Sequence, residues 1–265
     1  MPRRIEATLE AARRDRRVGL IAFVTAGDPD MGRSADVMVA LDRAGADVIE
    51  VGVPFSDPVA DGPVIQRASC RALAAGATLA RVLGLCAQVR PHVRAPLVLF
   101  TYLNPILRMG PDTFIDRAAE AGIDGLLVVD LPVEEPAAWR IRARTAGIDQ
   151  ICLVSPTSGP ERIRRAAAAG GGFLYAISTL GVTGTRAQVG SDARLLVERV
   201  RRETSLPVAV GFGVSHPDHV REIGRWADAA VVGSSIVKVV EESAGGEDLA
   251  ARVAQHVGWL LGREV

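Results

Sequence analysis

Short apolar segments alternate with longer amphipathic segments from one end of the chain to the other, which restricts the folds that it can adopt. The apolar segments predict strands over residues 20–25, 48–53, 97–101, 125–129, 151–154, 173–177, 208–210 and 229–232. The amphipathic segments predict helices over residues 30–44, 63–75, 79–89, 111–121, 134–145, 160–169, 192–203, 217–225 and 247–261, and a further helix over residues 3–15 precedes the first strand.

Eight strand-then-helix units in one chain predict an α/β protein, a (β/α)8 TIM barrel with an extra N-terminal helix. The strands are apolar on both faces, as parallel strands covered by helices should be. We expect a single domain over residues 1–265, because a chain of this length that is 48 % hydrophobic can form one large core. The alternative is an open doubly wound sheet, but no Gly-x-Gly-x-x-Gly motif follows the first strand.

Charge and cysteine content exclude several classes of protein. The 31 basic and 31 acidic residues give a net charge of zero, and the arginines at 162–165 and 201–202 fit solvated helix faces, so we expect neither a nucleic-acid nor a membrane partner. No apolar run approaches the ~20 residues that cross a bilayer, and no apolar stretch follows the N-terminal arginines as it would in a signal peptide. Three cysteines without metal-like spacing are typical of reduced thiols in a cytoplasmic protein: Cys70, Cys86 and Cys152.

Glu50 lies inside the apolar run 48–53, where a carboxylate is costly unless something compensates it. Alternation along a strand puts Val48, Glu50 and Gly52 on one face, which we predict to face the barrel interior, with the glycine making room for the acid. Desolvation would raise the pKa of Glu50 and suit it to proton transfer near neutral pH. The alternative interpretation is a buried ion pair with an arginine from another strand.

A second carboxylate, Asp61, follows in the loop after this strand. Active sites of barrels lie at the C-terminal ends of the strands, so Glu50 and Asp61 together predict a proton-transfer site there. Asp61 also precedes Gly62 and Pro63, where we predict a helix start, and a helix cap is the alternative interpretation of an aspartate in that position.

Glycines follow three of the later strands. Gly211-Phe212-Gly213 comes after the seventh strand, and Gly233-Ser234-Ser235 comes after the eighth and opens a helix. Backbone N–H groups in such loops bind anions, and barrels often hold phosphate after strands seven and eight. Residues 181–184 after strand six could add a third wall, and residues 185–190 could move as a lid.

Two further observations limit the chemistry. His216 and His219 have a spacing that could hold a metal, but no third ligand is in view, so we expect no metal site. Lys238 is the only lysine and lies within a helical run, which argues against an imine intermediate. The residues therefore predict acid–base catalysis on a phosphorylated substrate that carries its own electron sink.

The two carboxylates belong to one continuous stretch, Glu50-Val-Gly-Val-Pro-Phe-Ser-Asp-Pro-Val-Ala-Asp-Gly-Pro-Val-Ile-Gln66. This stretch closely matches the signature of the tryptophan synthase alpha chain family, which the sequence resembles nearly from end to end. Other motifs follow in the family's order: Phe23-Val-Thr-Ala-Gly-Asp-Pro29, Asn104-Pro105, Asp130-Leu-Pro132, Ser155-Pro-Thr157, Gly181-Val-Thr-Gly184, Gly211-Phe-Gly213 and Gly233-Ser234. Related barrels share the phosphate loops, so the 50–66 stretch is the diagnostic one.

The resemblance implies a reaction, the retro-aldol cleavage of indole-3-glycerol phosphate to indole and glyceraldehyde 3-phosphate. It implies that Glu50 moves the protons and that Asp61 pairs with the indole N–H and stabilises the cation. It also implies the remaining site residues. The pocket residues are Phe23, Ile65, Leu127, Tyr175, Thr183 and Phe212, and the phosphate-binding residues are Gly184, Gly213, Gly233, Ser234 and Ser235.

The resemblance further implies an α2β2 heterotetramer with a beta chain, in which pyridoxal phosphate belongs to the beta chain and this chain carries no cofactor. Residues 104–109, interpreted as a loop that exposes apolar side chains, would suit that partner or plain loop packing. Departures from the family pattern at Ala22, Phe173 and Thr179-Leu180 touch the pocket or lid shape.

Three other functions remain open at the level of sequence. A stand-alone lyase would release free indole without a beta chain. A catalytically weak paralogue would serve as an allosteric partner, although both Glu50 and Asp61 are present. A phosphosugar isomerase could use two carboxylates on the same barrel, but it would not need the 50–66 signature.

Overall fold

The structure is a computed structural model that describes residues 3–134, 138–177, 191–211 and 213–263. Within these residues nine parallel strands form one sheet with the order β5-β4-β3-β2-β1-β9-β8-β7-β6. The strands are β1 Gly19–Thr25, β2 Val48–Gly52, β3 Leu97–Thr101, β4 Gly125–Val128, β5 Asp149–Gln150, β6 Cys152–Val154, β7 Leu174–Ile177, β8 Val208–Gly211 and β9 Ala229–Val232.

The sheet closes on itself through its two end strands. Only Ile151 separates β5, which pairs with β4, from β6, which pairs with β7. The two short strands are therefore the single predicted fifth strand, interrupted at one residue, and it joins both edges of the sheet. The predicted (β/α)8 barrel is confirmed, and every predicted strand is found within two residues of its expected ends.

Helices follow the strands and cover the barrel. Within the described residues they are α1 Arg4–Arg14, α2 Met31–Ala44, α3 Pro63–Ala74, α4 Leu79–Val89, α5 Leu103–Met109, α6 Pro111–Glu120, α7 Ala138–Thr145, α8 Pro160–Ala169, α9 Ser191–Glu203, α10 Pro217–Ile223, α11 Ser234–Ser243 and α12 Leu249–Leu260. In the part of the chain that is described, no single helix has the length and apolar composition needed to cross a bilayer, although α3 and the segment 79–92, bent by 94° at their junction, pass that test together.

The segment after β3 differs from its prediction. Residues 104–109 were expected to form a loop, but α5 covers them, with Gly110 in a left-handed conformation (φ 88°) directly after it. Ile106 is fully buried while Leu107 is 56 % exposed. Seven residues are about two helical turns, too short for a periodic pattern to stand out, and Pro105 favoured a loop.

Side chains alternate between two apolar layers along each strand. Ile49 and Val51 belong to the large cluster between the strands and the surrounding helices, whereas Val48 belongs to the cluster inside the barrel. The predicted orientation of β2 is thus confirmed, since Glu50 shares the face of Val48. The interior cluster consists of Ile5, Leu9, Ile21, Val48, Val98, Leu127, Ile151, Phe173, Tyr175, Ala209, Ala229 and Val231.

The predicted N-terminal helix closes the N-terminal end of the barrel. Ile5 and Leu9 of α1 are fully buried among the interior side chains. Gly125 of β4 makes room for Ile5, because a Cβ at position 125 would lie only 2.7 Å from the Ile5 Cδ1 atom. Arg3 fixes the helix by an ion pair with the buried Asp149, at 2.8 Å. Among the described residues, α1 therefore covers the N-terminal end of the barrel.

Candidate active site

Glu50 is 1 % exposed and stands in the middle of β2, beside Phe23 of β1 and Val98 of β3. Its Oε1 atom has no hydrogen-bond partner among the described residues. Burial raises the pKa of Glu50 from 4.5 to about 8, because the interior solvates the charged form poorly. The expected desolvation is confirmed, and the alternative of a buried ion pair with an arginine finds no support in the described contacts.

Two aromatic residues lie close to Glu50. Tyr175 of β7 is buried, and burial together with the nearby Glu50 charge raises its pKa well above the usual range. The absence of a side chain at Gly211 makes room for its ring, because a Cβ there would collide with the Tyr175 hydroxyl. Gly52 acts differently from the prediction: a Cβ would meet the Phe23 ring at 2.5 Å, so this glycine makes room for Phe23 rather than for Glu50.

Asp61 lies in the loop between β2 and α3 and is half-buried. Burial raises its pKa, and a hydrogen bond with the Tyr102 hydroxyl opposes that rise. The N-cap residue of α3 is Gly62, and no side chain caps this helix, so the interpretation of Asp61 as a helix cap is wrong. Its carboxylate is therefore available to a ligand, and Tyr102 favours its ionised form.

Tyr102 anchors the Asp61 loop to the barrel. It is buried directly after β3, and its hydroxyl also accepts a hydrogen bond from the Ala60 N–H at 3.2 Å. Its ring stacks on Phe55, with 4.8 Å between the ring centroids, and burial raises the pKa of its hydroxyl to about 12. Both ends of the loop 53–62 thus contact one rigid side chain, which fixes where Asp61 lies.

A cavity of about 310 Å³ at the C-terminal end of the barrel contains both carboxylates. Depressions of about 390 and 650 Å³ exist elsewhere, but neither contains Glu50 or Asp61, so size does not identify the site. Predicted site residues that line the cavity are Phe23, Glu50, Asp61, Ile65, Tyr175, Gly213, Gly233, Ser234 and Ser235. Most of the rest of the wall is apolar.

Other predicted residues lie elsewhere. Leu127 is fully buried within the barrel interior and does not line the cavity, so its expected place in the pocket wall is corrected to the apolar packing beside it. Thr183, Gly184, Phe212 and the predicted lid 185–190 lie outside the described residues. Nine cavity residues were missed. Four of them are Ala60, Gly62, Val214 and Ser215, and the other five are Phe100, Val129, Leu153, Ile177 and Val231. Strand alternation could have found these five, since each stands two residues after an interior side chain.

The opposite wall of the cavity is rich in free backbone donors. Gly233 is the N-cap of α11, and the first intrahelical bond runs from the Val237 N–H to its carbonyl. The N–H groups of Ser234, Ser235 and Ile236 therefore have no intrahelical acceptor, and the positive end of the helix dipole adds to their attraction for an anion. Gly213, in a left-handed conformation (φ 75°), lines the same part of the cavity.

A network of ion pairs joins the helices that flank the cavity. Arg71 of α3 binds both oxygens of the buried Asp28, which follows β1, at 2.8 and 2.9 Å. Its third nitrogen contacts Glu241 of α11 at 2.7 Å, and Arg67 contacts the same carboxylate. These hydrogen bonds lower the pKa of Glu241 to about 2. The Asp61 side and the phosphate side of the cavity are thus connected by charged contacts.

Histidine and cysteine residues add no metal centre. In residues 3–134, 138–177, 191–211 and 213–263, no group of three or more His, Cys, Asp or Glu side chains could hold a metal ion. The three cysteines are free; Cys86 and Cys152 are buried and Cys70 is exposed. His256 is half-buried, and its Nε2 atom lies 2.8 Å from the Ser235 hydroxyl oxygen.

Comparisons with known proteins agree with this geometry. A family model described as the tryptophan synthase alpha chain matches residues 9–260. The tryptophan synthase alpha chain of Gloeobacter violaceus is 49 % identical over 249 residues, covering 94 % of this chain and 90 % of the relative. Two solved structures are also similar. One is Mycobacterium tuberculosis tryptophan synthase, with 37 % identity, a TM-score of 0.89 and coverage of 98 and 97 % of the two chains. The other is the Pyrococcus furiosus tryptophan synthase a2b2 complex, with 40 % identity, a TM-score of 0.86 and coverage of 92 and 98 %.

Proposed function

The chain belongs to the tryptophan synthase alpha chain family, and we propose that its cavity carboxylates perform the family's lyase reaction with the roles given below. That reaction cleaves indole-3-glycerol phosphate to indole and glyceraldehyde 3-phosphate in tryptophan biosynthesis. The single observation that carries the residue assignment is the buried Glu50 carboxyl, unpaired at Oε1 and with a pKa of about 8, inside the cavity that also contains Asp61.

Glu50 acts first as an acid and then as a base. With a pKa of about 8 it holds its proton at neutral pH, and it delivers that proton to C3 of the indole ring. The ring becomes an indoleninium cation, which is the electron sink. The resulting carboxylate, poorly solvated, takes the proton of the side-chain hydroxyl; the bond from C3 to the hydroxyl-bearing carbon breaks, and its electron pair returns to the ring. Glu50 ends the cycle protonated, as it began.

Asp61 stabilises the cation that this step creates. Its carboxylate accepts a hydrogen bond from the indole N–H, and the positive charge developing on the ring strengthens that bond in the transition state. Tyr102 supports this role, because its hydrogen bond favours the ionised form of Asp61 and fixes the loop. Asp61 therefore contributes electrostatic stabilisation and leaves proton transfer to Glu50.

The remaining walls fit the two ends of the substrate. Phe23, Ile65 and Tyr175 offer an apolar surface to the indole ring. The free N–H groups at the start of α11, Gly233 and Gly213 receive the phosphate, with Ser234 and Ser235 in the first helical turn. Leu127 packs beside the pocket, and Thr183, Gly184 and Phe212 would complete it.

We also propose that a beta chain docks on the catalytic face and that pyridoxal phosphate belongs to that partner alone. Leu107 of α5 and Val59 of the loop after β2 are exposed large apolar side chains that follow neighbouring strands at this end of the barrel. The Pyrococcus furiosus relative is described as an a2b2 complex. A stand-alone lyase that releases free indole is the second candidate, since Glu50 and Asp61 both belong to this chain and line its cavity.

One experiment tests the assignment of Glu50. Indole release from indole-3-glycerol phosphate is measured for the parent chain, for Glu50→Gln and for a matched control, Glu120→Gln, whose side chain is exposed on α6. We expect Glu50→Gln to lower kcat by a factor of about 100 or more, because a positioned acid–base group contributes about that much, while the control keeps the parent rate.

The same assay with and without a beta chain separates the two candidates. A rate that rises on adding the beta chain supports the two-component enzyme, and an equally high rate without it supports the stand-alone lyase. Full activity in Glu50→Gln would overturn the role of Glu50 under either function.

A further inference from the structure

We propose that His256 is a positioning residue for the phosphate end of the active site, acting through Ser235. The inference rests on the proposed function, because it assigns phosphate to the first turn of α11. The Nε2 atom of His256 lies 2.8 Å from the hydroxyl oxygen of Ser235, a residue that lines the catalytic cavity.

Ser235 belongs to two environments at once. It lines the cavity as the second residue of α11, so its backbone N–H is one of the free donors at the helix start. Its hydroxyl is held from outside the barrel by His256 of α12. A movement of α11 relative to α12 would therefore break this bond and change the direction of the N–H groups that face the phosphate.

His256 is itself held in place by aromatic neighbours. Its ring lies 5.4 Å from that of Trp259, one turn further along α12, and the Trp259 ring lies edge-on to His216 at 5.2 Å. The Nδ1 of His216 accepts the Asp218 N–H at 3.2 Å and caps α10. The rings thus connect α10 and α12, so the anchor for Ser235 is part of a packed cluster rather than a loose side chain.

The chemistry of the bond suits an anchor at neutral pH. Burial lowers the pKa of His256, which keeps its ring neutral, and either tautomer of a neutral ring satisfies the Ser235 hydroxyl as donor or as acceptor. The bond is therefore compatible with a neutral His256 ring at neutral pH.

The effect should appear in affinity for the phosphate and not in turnover. Glu50 and Asp61 lie on β2 and its loop, and no described contact joins them to α12. Losing one hydrogen bond behind the phosphate-binding turn should raise KM for indole-3-glycerol phosphate roughly 3- to 10-fold, while kcat changes less than about twofold. The dissociation constant for inorganic phosphate should rise by a similar factor.

The test compares four variants with the parent chain: His256→Leu, His256→Gln, Ser235→Ala and the double variant His256→Leu/Ser235→Ala. Gln255→Leu, exposed in the same groove, is the matched control. KM and kcat are measured for cleavage, and phosphate affinity is measured by calorimetry. We expect His256→Leu and Ser235→Ala to weaken phosphate binding equally, the double variant to be no worse than Ser235→Ala, and His256→Gln, whose amide reaches the hydroxyl, to recover most of the affinity.

Three outcomes would overturn the proposal: additive losses in the double variant, unchanged phosphate affinity in His256→Leu, or a loss confined to kcat. If His256→Leu fails to fold, the comparison of His256→Gln with Ser235→Ala decides in the same way. Phosphate binding by calorimetry does not require the lyase reaction. If the parent chain binds phosphate but does not cleave indole-3-glycerol phosphate, the proposed function is contradicted. The proposed role of His256 in positioning Ser235 is then still tested by the phosphate affinities.

Discussion

Replacing Glu50 by glutamine should stabilise the chain at alkaline pH while abolishing its activity. In the folded state the Glu50 carboxyl is buried with a pKa of about 8, whereas its ordinary value is 4.5. Glu50 therefore ionises at a much lower pH in the unfolded chain than in the folded chain. Between pH 4.5 and about 8 its carboxyl is protonated in the folded state and ionised in the unfolded state. Stability contributed by this residue is complete below pH 4.5 and falls as the pH rises towards 8.

The size of the effect follows from the same two values. They are roughly 3.5 pH units apart, and each unit corresponds to about 1.4 kcal/mol, so the ionised carboxyl lowers the free energy of unfolding by about 5 kcal/mol above pH 8. At pH 7 the loss is about 3 kcal/mol, and at pH 5 it is below about 1 kcal/mol. Glutamine resembles the protonated acid in shape and stays neutral, so the variant escapes this loss at every pH.

Urea denaturation at pH 5, 7 and 9 measures the difference directly. The free energy of unfolding of Glu50→Gln should exceed that of the parent chain by an amount that grows by about 4 kcal/mol from pH 5 to pH 9. All other titrating groups are shared by the two proteins and cancel. The exposed control Glu120→Gln should show no such growth. A constant difference between Glu50→Gln and the parent across this range would refute the claim that Glu50 is desolvated in the folded chain.

Three further changes test the other parts of the site. Asp61→Asn should lower kcat about 100-fold or more through lost stabilisation of the cation, with a smaller effect on KM; an unchanged kcat in the indole assay would remove Asp61 from the mechanism. Arg71→Met should lower the free energy of unfolding at neutral pH by about 3 kcal/mol, because it leaves Asp28 buried without its cation, and urea denaturation at pH 7 that matches the parent would contradict this. Leu107→Asp, at an exposed position, should leave folding and the isolated lyase rate intact but weaken beta-chain binding roughly tenfold; calorimetric titration with equal affinity would place the docking surface elsewhere.

Periodicity in the sequence was sufficient for the barrel and for the orientation of β2. Alternation along that strand put Glu50 on the interior face, and the structure confirms it. The same rule could not tell what fills the space beside Gly52. That depends on the register with β1, which pairs Thr25 with Gly52 and brings the ring of Phe23 against the glycine. Register is a property of a pair of strands, so alternation along β2 alone does not show which residue of β1 lies beside Gly52.

Side-chain contacts between residues of different strands, loops and helices could not be predicted from the sequence. Tyr102 holds the Asp61 loop from the end of the next strand, and His256 holds Ser235 from the last helix, 21 residues further along the chain. Neither residue belongs to a motif, and each becomes meaningful only when the helices and loops are packed. Leu127 shows the reverse case, because its interior orientation was implied correctly but its depth in the barrel was not.

The two carboxylates differ because one is on a strand and the other is on a loop. The backbone of Glu50 is hydrogen-bonded within a ladder on both sides, between β1 and β3, so its side chain cannot move towards water to relieve the cost of its charge. Its proton affinity rises instead, as an acid–base catalyst requires. Asp61 lies in a loop and is half-buried, and its hydrogen bond with the Tyr102 hydroxyl favours the ionised carboxylate. A group that stabilises a cation must carry this negative charge. Exchanging the two environments would exchange the roles of acid–base catalyst and cation stabiliser. The degree of burial that the backbone imposes on each carboxyl sets its pKa, and the pKa sets its role.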